Sequence, residues 1–112
     1  MSAQPEDAKL RTLARASRAR IRAAQGAAVR DLDGRTYTAA SIDLSSLQLS
    51  ALSLAAAMAV SSGARGLEAA VLCSEASSAA AADLDVLREL AGTGVAVQLI
   101  DTDGSPVTST LT

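Results

Sequence analysis

The stretch GAAVRDLDGRTYTAASIDLSS, residues 26–46, holds two strand-like runs, GAAVRD and RTYTAASI, separated by Leu32, Asp33 and Gly34. An Asp-Gly pair between such runs is a strong hairpin signal, because both residues tolerate the positive φ that a tight hairpin turn demands. Two antiparallel strands are therefore expected here. Just beyond them, Ser45 stands three residues before Gln48, the spacing of a capping box, so a helix is expected to begin near residue 46. Within it Leu47, Ala51, Leu54 and Met58 would make one apolar face, and Leu52, Ala55, Ala56 and Ala59 a second. That pattern belongs to a helix buried on most sides.

Upstream, residues 6–24 place Leu10, Leu13, Ala14, Ser17, Ile21 and Ala24 at helical spacing, which predicts an amphipathic helix. Its other side carries Arg11, Arg15, Arg18 and Arg22 at i, i+4, i+7 and i+11, one basic stripe. Downstream of Gly63 and Gly66, LEAAVLCS reads as a strand. AAAADLDVLREL reads as a helix stopped by Gly92 and Gly94, and VAVQLI as a further strand. Asp101 to Gly104 form a turn, after which PVTSTLT adds a short final strand or trails as a tail. The order is α-β-β-α-β-α-β, with one more strand if the tail pairs. Strands alternating with helices after an initial hairpin predict an α/β fold, a mixed sheet of four or five strands with helices on both faces.

The chain has 112 residues, which suits one domain over 1–112, with 1–5 and 106–112 expected as loose ends. About half of the residues are hydrophobic, yet Tyr37 is the only aromatic, so the core must be packed from small aliphatic side chains. The net charge of −2 hides an asymmetry: seven of the ten basic residues precede position 31, facing only Glu6 and Asp7 there. Cys73 is the only cysteine, which excludes an intramolecular disulfide and any Cys-x-x-Cys pair. That usage suits a reducing, cytoplasmic home, and MSAQPEDAKL lacks the basic-then-apolar order of a secretory leader. Residues 44–64 are uncharged over about the length of a membrane span, but seven of them are serine or glutamine. A buried helix fits them better than a bilayer crossing.

The run GAAVRDLDGRTYTAASIDLSS, together with the later VLRELAGTGVAVQLIDTDG, resembles the cytidine deaminase family over residues 10–105. The resemblance implies that family's three-layer α-β-α fold. It also implies a zinc ion held by one His or Cys and two cysteines, with a glutamate two residues after the first ligand moving the proton. Aligned on the helix ends, Ser50, Ala51 and Leu52 stand where His/Cys-Ala-Glu is expected. Ala79 to Asp83 stand where Pro-Cys-x-x-Cys is expected, so Ala80 and Asp83 take the two thiolate positions. The ligand set becomes a hydroxyl, a methyl and a carboxylate, and leucine replaces the proton carrier. A catalytic zinc needs about three nitrogen, thiolate or carboxylate donors, and the chain has no histidine to substitute. No metal and no other cofactor is expected.

The same resemblance puts Ser41 and Asp43 where an asparagine and a glutamate hold the ribose, and finds no aromatic among Ala23, Ala24 and Gln25 to cover the base. Asp43 suits either a hydroxyl-bearing ligand or, in a structural role, the cap of the following helix. Cys73 has no neighbour in sequence to activate it and reads as a small buried hydrophobe. Gly92-Thr-Gly94 is a helix stop, since no phosphate-loop pattern surrounds it. Asp83, Asp85 and Glu89 read as a solvated helix face.

Arg11, Arg15, Arg18 and Arg22 read as a solvated or intersubunit face, or as a site for an anionic partner such as an acidic protein surface. Nucleic acid is disfavoured, because the body is acidic and no aromatic platform accompanies the stripe. Leu47, Leu49, Leu52 and Leu54, with alanines at 55, 56, 57 and 59, exceed what one small sheet face needs. Together with the family resemblance they imply a homo-oligomer, dimer or tetramer. The expected function is that of a zinc-free, catalytically inactive relative serving as an oligomeric interaction or regulatory protein. The alternatives are a nucleoside-binding module without turnover and, third, an active deaminase.

Overall fold

The computed structural model describes residues 5–112, and of the expected loose N-terminus only Pro5 falls within them. α1 spans Pro5–Ile21, β1 Gln25–Asp31, β2 Thr36–Ala40, β3 Ile42–Leu44, β4 Leu47–Leu49, α2 Ala51–Ser61, β5 Leu67–Ser74, α3 Ala81–Ala91, β6 Ala96–Ile100 and β7 Pro106–Leu111. Five strands form one mixed sheet in the order β2-β1-β5-β6-β7, with β5 and β6 parallel and the other neighbours antiparallel. The α/β fold expected from the element order is the one formed.

Alternation along the strands sorts side chains to the two faces. Ala28, Val71, Cys73 and Ile100 pack with Leu10 and Ala14 of α1. Ala27, Val29, Leu72, Val97 and Leu99 pack with Leu52, Ala55, Ala56 and Ala59 of α2 and Leu87 of α3. The layers are thus α1, sheet, then α2 with α3. Small residues allow close approach: at Gly26 a Cβ would run into the Ala14 carbonyl oxygen and Arg18 of α1. The leading glycine of Gly-Ala-Ala is there because the helix backbone lies directly over the strand.

The β1–β2 hairpin forms as expected, with Val29 opposite Tyr37 and Gly34 at φ +85°. The buried Asp31 organises its turn, one carboxylate oxygen accepting the amides of Asp33 and Arg35 at 2.9 Å each and the other the Tyr37 hydroxyl at 2.9 Å. The only aromatic ring is committed to this turn.

Four expectations are corrected. No helix begins near residue 46; residues 42–49 form a separate hairpin, Ile42 opposite Leu49 and Leu44 opposite Leu47. The apolar-polar-apolar alternation of Ile-Asp-Leu and Leu-Gln-Leu around Ser45-Ser46 outweighs the Ser45/Gln48 spacing. α2 instead begins after Ser50, whose hydroxyl accepts the Ser53 amide at 3.2 Å. Second, α1 ends at Ile21 and Arg22 turns left-handed at φ +54°, so Arg22 leaves the stripe and Ile21 is 56% exposed. Third, residues 106–112 are not loose: β7 pairs with β6, and the buried Thr112 donates its hydroxyl to Gly92 O at 2.7 Å and accepts the Val95 amide at 3.1 Å. Fourth, α2 is buried on the sheet side only, with Met58 and Val60 exposed.

Candidate functional site

The N-termini of α2 and α3 meet at one end of the sheet. Each presents the positive end of its helix dipole, which favours a negative charge between them. Asp83, in the first turn of α3 and only 5% exposed, supplies it. Its Oδ1 accepts the Ser50 hydroxyl at 2.6 Å and the Ser53 hydroxyl at 2.9 Å. The expectation that Asp83 belongs to a solvated face is thereby corrected; Asp85 and Glu89 on the same helix do face solvent. Helical spacing alone cannot anticipate that α2 brings two hydroxyls to the third residue of α3.

Gln25 completes the floor. Its Oε1 accepts the Ala51 amide at 3.1 Å, and its backbone N–H donates to the Ser41 hydroxyl at 3.0 Å. Ser41 is thus tied to β1. Asp43 lies exposed on β3 opposite Gln48 and does not cap α2, because Ser50 holds that place. Around these groups opens a cleft of about 490 Å³ bordered by Gln25, Ser41, Asp43, Gln48, Ser50 and Glu75. The sequence reading missed Gln25, Gln48, Ser53 and Glu75. Ser53 alone carried a signal, three residues after a serine at a helix start.

The donor set does not suit zinc. The Ser50 hydroxyl is already given to Asp83, the Asp83 oxygen already takes two hydroxyls, Ala80 offers a methyl, and Leu52 is fully buried in the core away from the cleft. Among the described residues no three His, Cys, Asp or Glu side chains gather as a metal site.

The arginines sit elsewhere, on the opposite face of the sheet. Arg11 donates to Gln98 Oε1 on β6 at 3.1 Å, Arg15 is exposed, and Arg18 is half-buried. The Cys73 thiol is buried and donates to Asp101 O at 3.3 Å. Burial pushes its pKa up, and the nearby Arg18 and Arg15 only partly oppose this, so it stays a thiol as a structural cysteine should. No helix among the described residues is long and apolar enough to cross a membrane.

The family model described as cytidine deaminase-like matches residues 3–104. The chain belongs to the cytidine deaminase-like family. Solved structures agree in fold with this family member. The cytidine deaminase of Burkholderia pseudomallei superimposes with a TM-score of 0.77 at 22% identity, covering 93% of this chain and 89% of that one. A mutant of the Mycobacterium tuberculosis cytidine deaminase gives 0.70 at 27% identity, covering 80% and 79%. The Mycobacterium leprae cytidine deaminase gives 0.68 at 19% identity, covering 92% and 90%. Comparison with curated proteins gave no match. The three-layer fold that the resemblance implied is that of the family.

Proposed function

We propose that this chain is a zinc-free, non-deaminating member of the family that acts in the cytoplasm by binding, as an oligomeric interaction or regulatory protein. The observation that carries this is the Ser50–Asp83 hydrogen bond of 2.6 Å, which joins two of the three positions aligned with metal ligands. At that separation the Ser50 hydroxyl is hydrogen-bonded to Asp83 and also accepts the Ser53 amide, so both side chains are engaged with the protein. With Leu52 buried in place of the proton-moving glutamate, no residue of the aligned motif carries acid–base chemistry into the cleft.

Elemental analysis of protein purified without chelator, paired with a cytidine deamination assay, tests the proposal. Zinc far below one per chain and no deamination are expected. Stoichiometric, tightly held zinc with cytidine turnover would overturn it.

Self-association is supported by the outer side of α2, where Met58 is 39% and Val60 57% exposed, and by Val86 of α3 at 39%. Leu49, Ala56, Val60, Val86 and Leu90 line an apolar groove of about 700 Å³ between the two helices. The proposed occupant is a second copy, since an uncharged helix face suits another such face better than it suits water. Sedimentation should show a dimer or larger, and Val60→Asp should shift it towards monomer. A monomer at all concentrations would refute self-association.

The open cleft favours a second reading, binding of a nucleoside without turnover. Its rim of Ser41, Asp43, Gln48 and Glu75 is rich in groups that pair with hydroxyls. Thermal stabilisation by pyrimidine nucleosides, lost in Asp43→Ala, is the outcome expected of it; no shift across a nucleoside panel would remove it.

A further inference from the structure

The α1 side of the molecule carries charge that the cleft does not use. Arg11, Arg15 and Arg18 lie along one side of the helix, and none forms an ion pair among the described residues, where Arg30 takes Asp7 and Glu68 and Arg88 takes Asp85. The adjacent Asp101 has one carboxylate oxygen occupied by the amides of Asp103 and Ser105, at 2.9 and 3.0 Å, which closes the β6–β7 turn. Arg11 is oriented by Gln98, a neutral acceptor that leaves its charge uncompensated. Arg18 Nε is buried with no acceptor among the described residues, as is Arg30 Nη1 elsewhere in the fold.

Between α1 and the turn runs a groove of about 520 Å³, walled by Arg11, Arg15, Ala8, Ala16 and Ala19 with Asp103 on its other side. Arg15 lies close over the turn: a Cβ at Gly104 would stand 3.3 Å from its Cδ. The volume is that of a small-molecule pocket and exceeds what a bare inorganic anion fills.

We propose that this groove binds a small organic phosphate, a phosphate monoester of a sugar-sized group. Guanidinium forks match phosphate oxygens in pairs, which makes arginine suited to this ligand. The two guanidiniums of Arg11 and Arg15 against the single lining carboxylate of Asp103 leave the groove net positive, which suits a monoester carrying roughly two negative charges near neutral pH. The alanine wall receives the organic part. The groove is on the sheet face opposite Ser50 and Asp83, so the proposal does not depend on the reading of the cleft.

Titration calorimetry of the full chain at low ionic strength, with ribose 5-phosphate and inorganic phosphate as probes, tests it. Ribose 5-phosphate should bind at one site and more tightly than inorganic phosphate, and added salt should weaken it. Arg15→Gln should weaken it by about tenfold, the scale of one lost charge-assisted contact. Asp103→Asn should strengthen it, because it removes the one like charge in the groove. Both side chains are exposed, so neither change threatens the fold. Absence of saturable ribose 5-phosphate binding, equal affinity for the two probes, or an affinity that neither substitution alters would overturn the proposal.

Discussion

The Ser50 hydroxyl donates to Asp83 Oδ1 at 2.6 Å, across 33 positions of sequence, and the Ser53 hydroxyl joins the same oxygen at 2.9 Å. A buried carboxylate is tolerated only when its acceptor capacity is used, and here two hydroxyls and the positive ends of two helices serve it. The contact does structurally what a shared metal would do, fastening the start of α2 to the start of α3.

That fastening is measurable. Asp83→Ala strips two buried hydroxyls of their acceptor and should destabilise the fold by about 1–3 kcal/mol in chemical denaturation. Ser50→Ala, which also removes the α2 cap, should cost about 1 kcal/mol. The double variant should lose less than the sum, with a coupling of at least about 0.5 kcal/mol. Strict additivity would mean that the two residues do not act together.

Restoring donors tests the alignment from the other side. Ser50→Cys, Ala80→Cys and Asp83→Cys together place three thiols where the family pattern has its ligands. This triple variant is expected to bind one zinc per chain and to melt higher with zinc than after chelation, whereas the parent melts identically in both. A variant that folds but takes up no zinc would show that these positions do not converge as aligned.

The Asp31 turn sets a pH dependence. Burial opposes ionisation of Asp31, but the Arg35 amide, the Tyr37 hydroxyl and the Asp33 amide outweigh it and hold its pKa below the ordinary value. A depressed pKa stabilises the fold above the unfolded value of about 3.9, and that stabilisation disappears as pH falls through the folded value. The Tyr37 pKa is raised by its hydrogen bond to Asp31 and by burial, so its contribution is complete below about pH 10 and is lost as pH rises through the folded value. In denaturation series, the stability gap between parent and Asp31→Asn should narrow below about pH 4, and that for Tyr37→Phe above about pH 10. Gaps independent of pH at both ends would contradict these shifts.

Gly26→Ala should be among the more damaging single-methyl changes. The added Cβ meets the backbone of Ala14 and Arg18 rather than a yielding side-chain tip. Overpacking of this kind costs about 1–3 kcal/mol, and a melting temperature equal to the parent's would show that α1 can move away freely.

The fold was legible where local signals agreed. Asp33-Gly34 between small and β-branched runs marked the β1–β2 hairpin, and LEAAVLCS and VAVQLI marked the two central strands by length and composition. The start of α2 was misplaced because two serine signals compete within a few residues, and only the pairing of Ile42 with Leu49 and the bond to Asp83 select Ser50. Of the site, the Ser50 and Asp83 positions came from the alignment, while Gln25 was missed because its role depends on β1 lying beside the first amide of α2.

By itself the sequence determined the α/β order, the aliphatic core, and a donor set with no histidine and a single cysteine. These are properties of composition and short-range periodicity, which neighbouring residues express without reference to distant ones. Only the tertiary structure decided that Asp83 is buried against two serines, that β7 is a paired strand closed by Thr112, and that Arg11 and Arg15 frame a groove against the β6–β7 turn. Each of these depends on which remote segments come into contact, and that is set when the whole core packs.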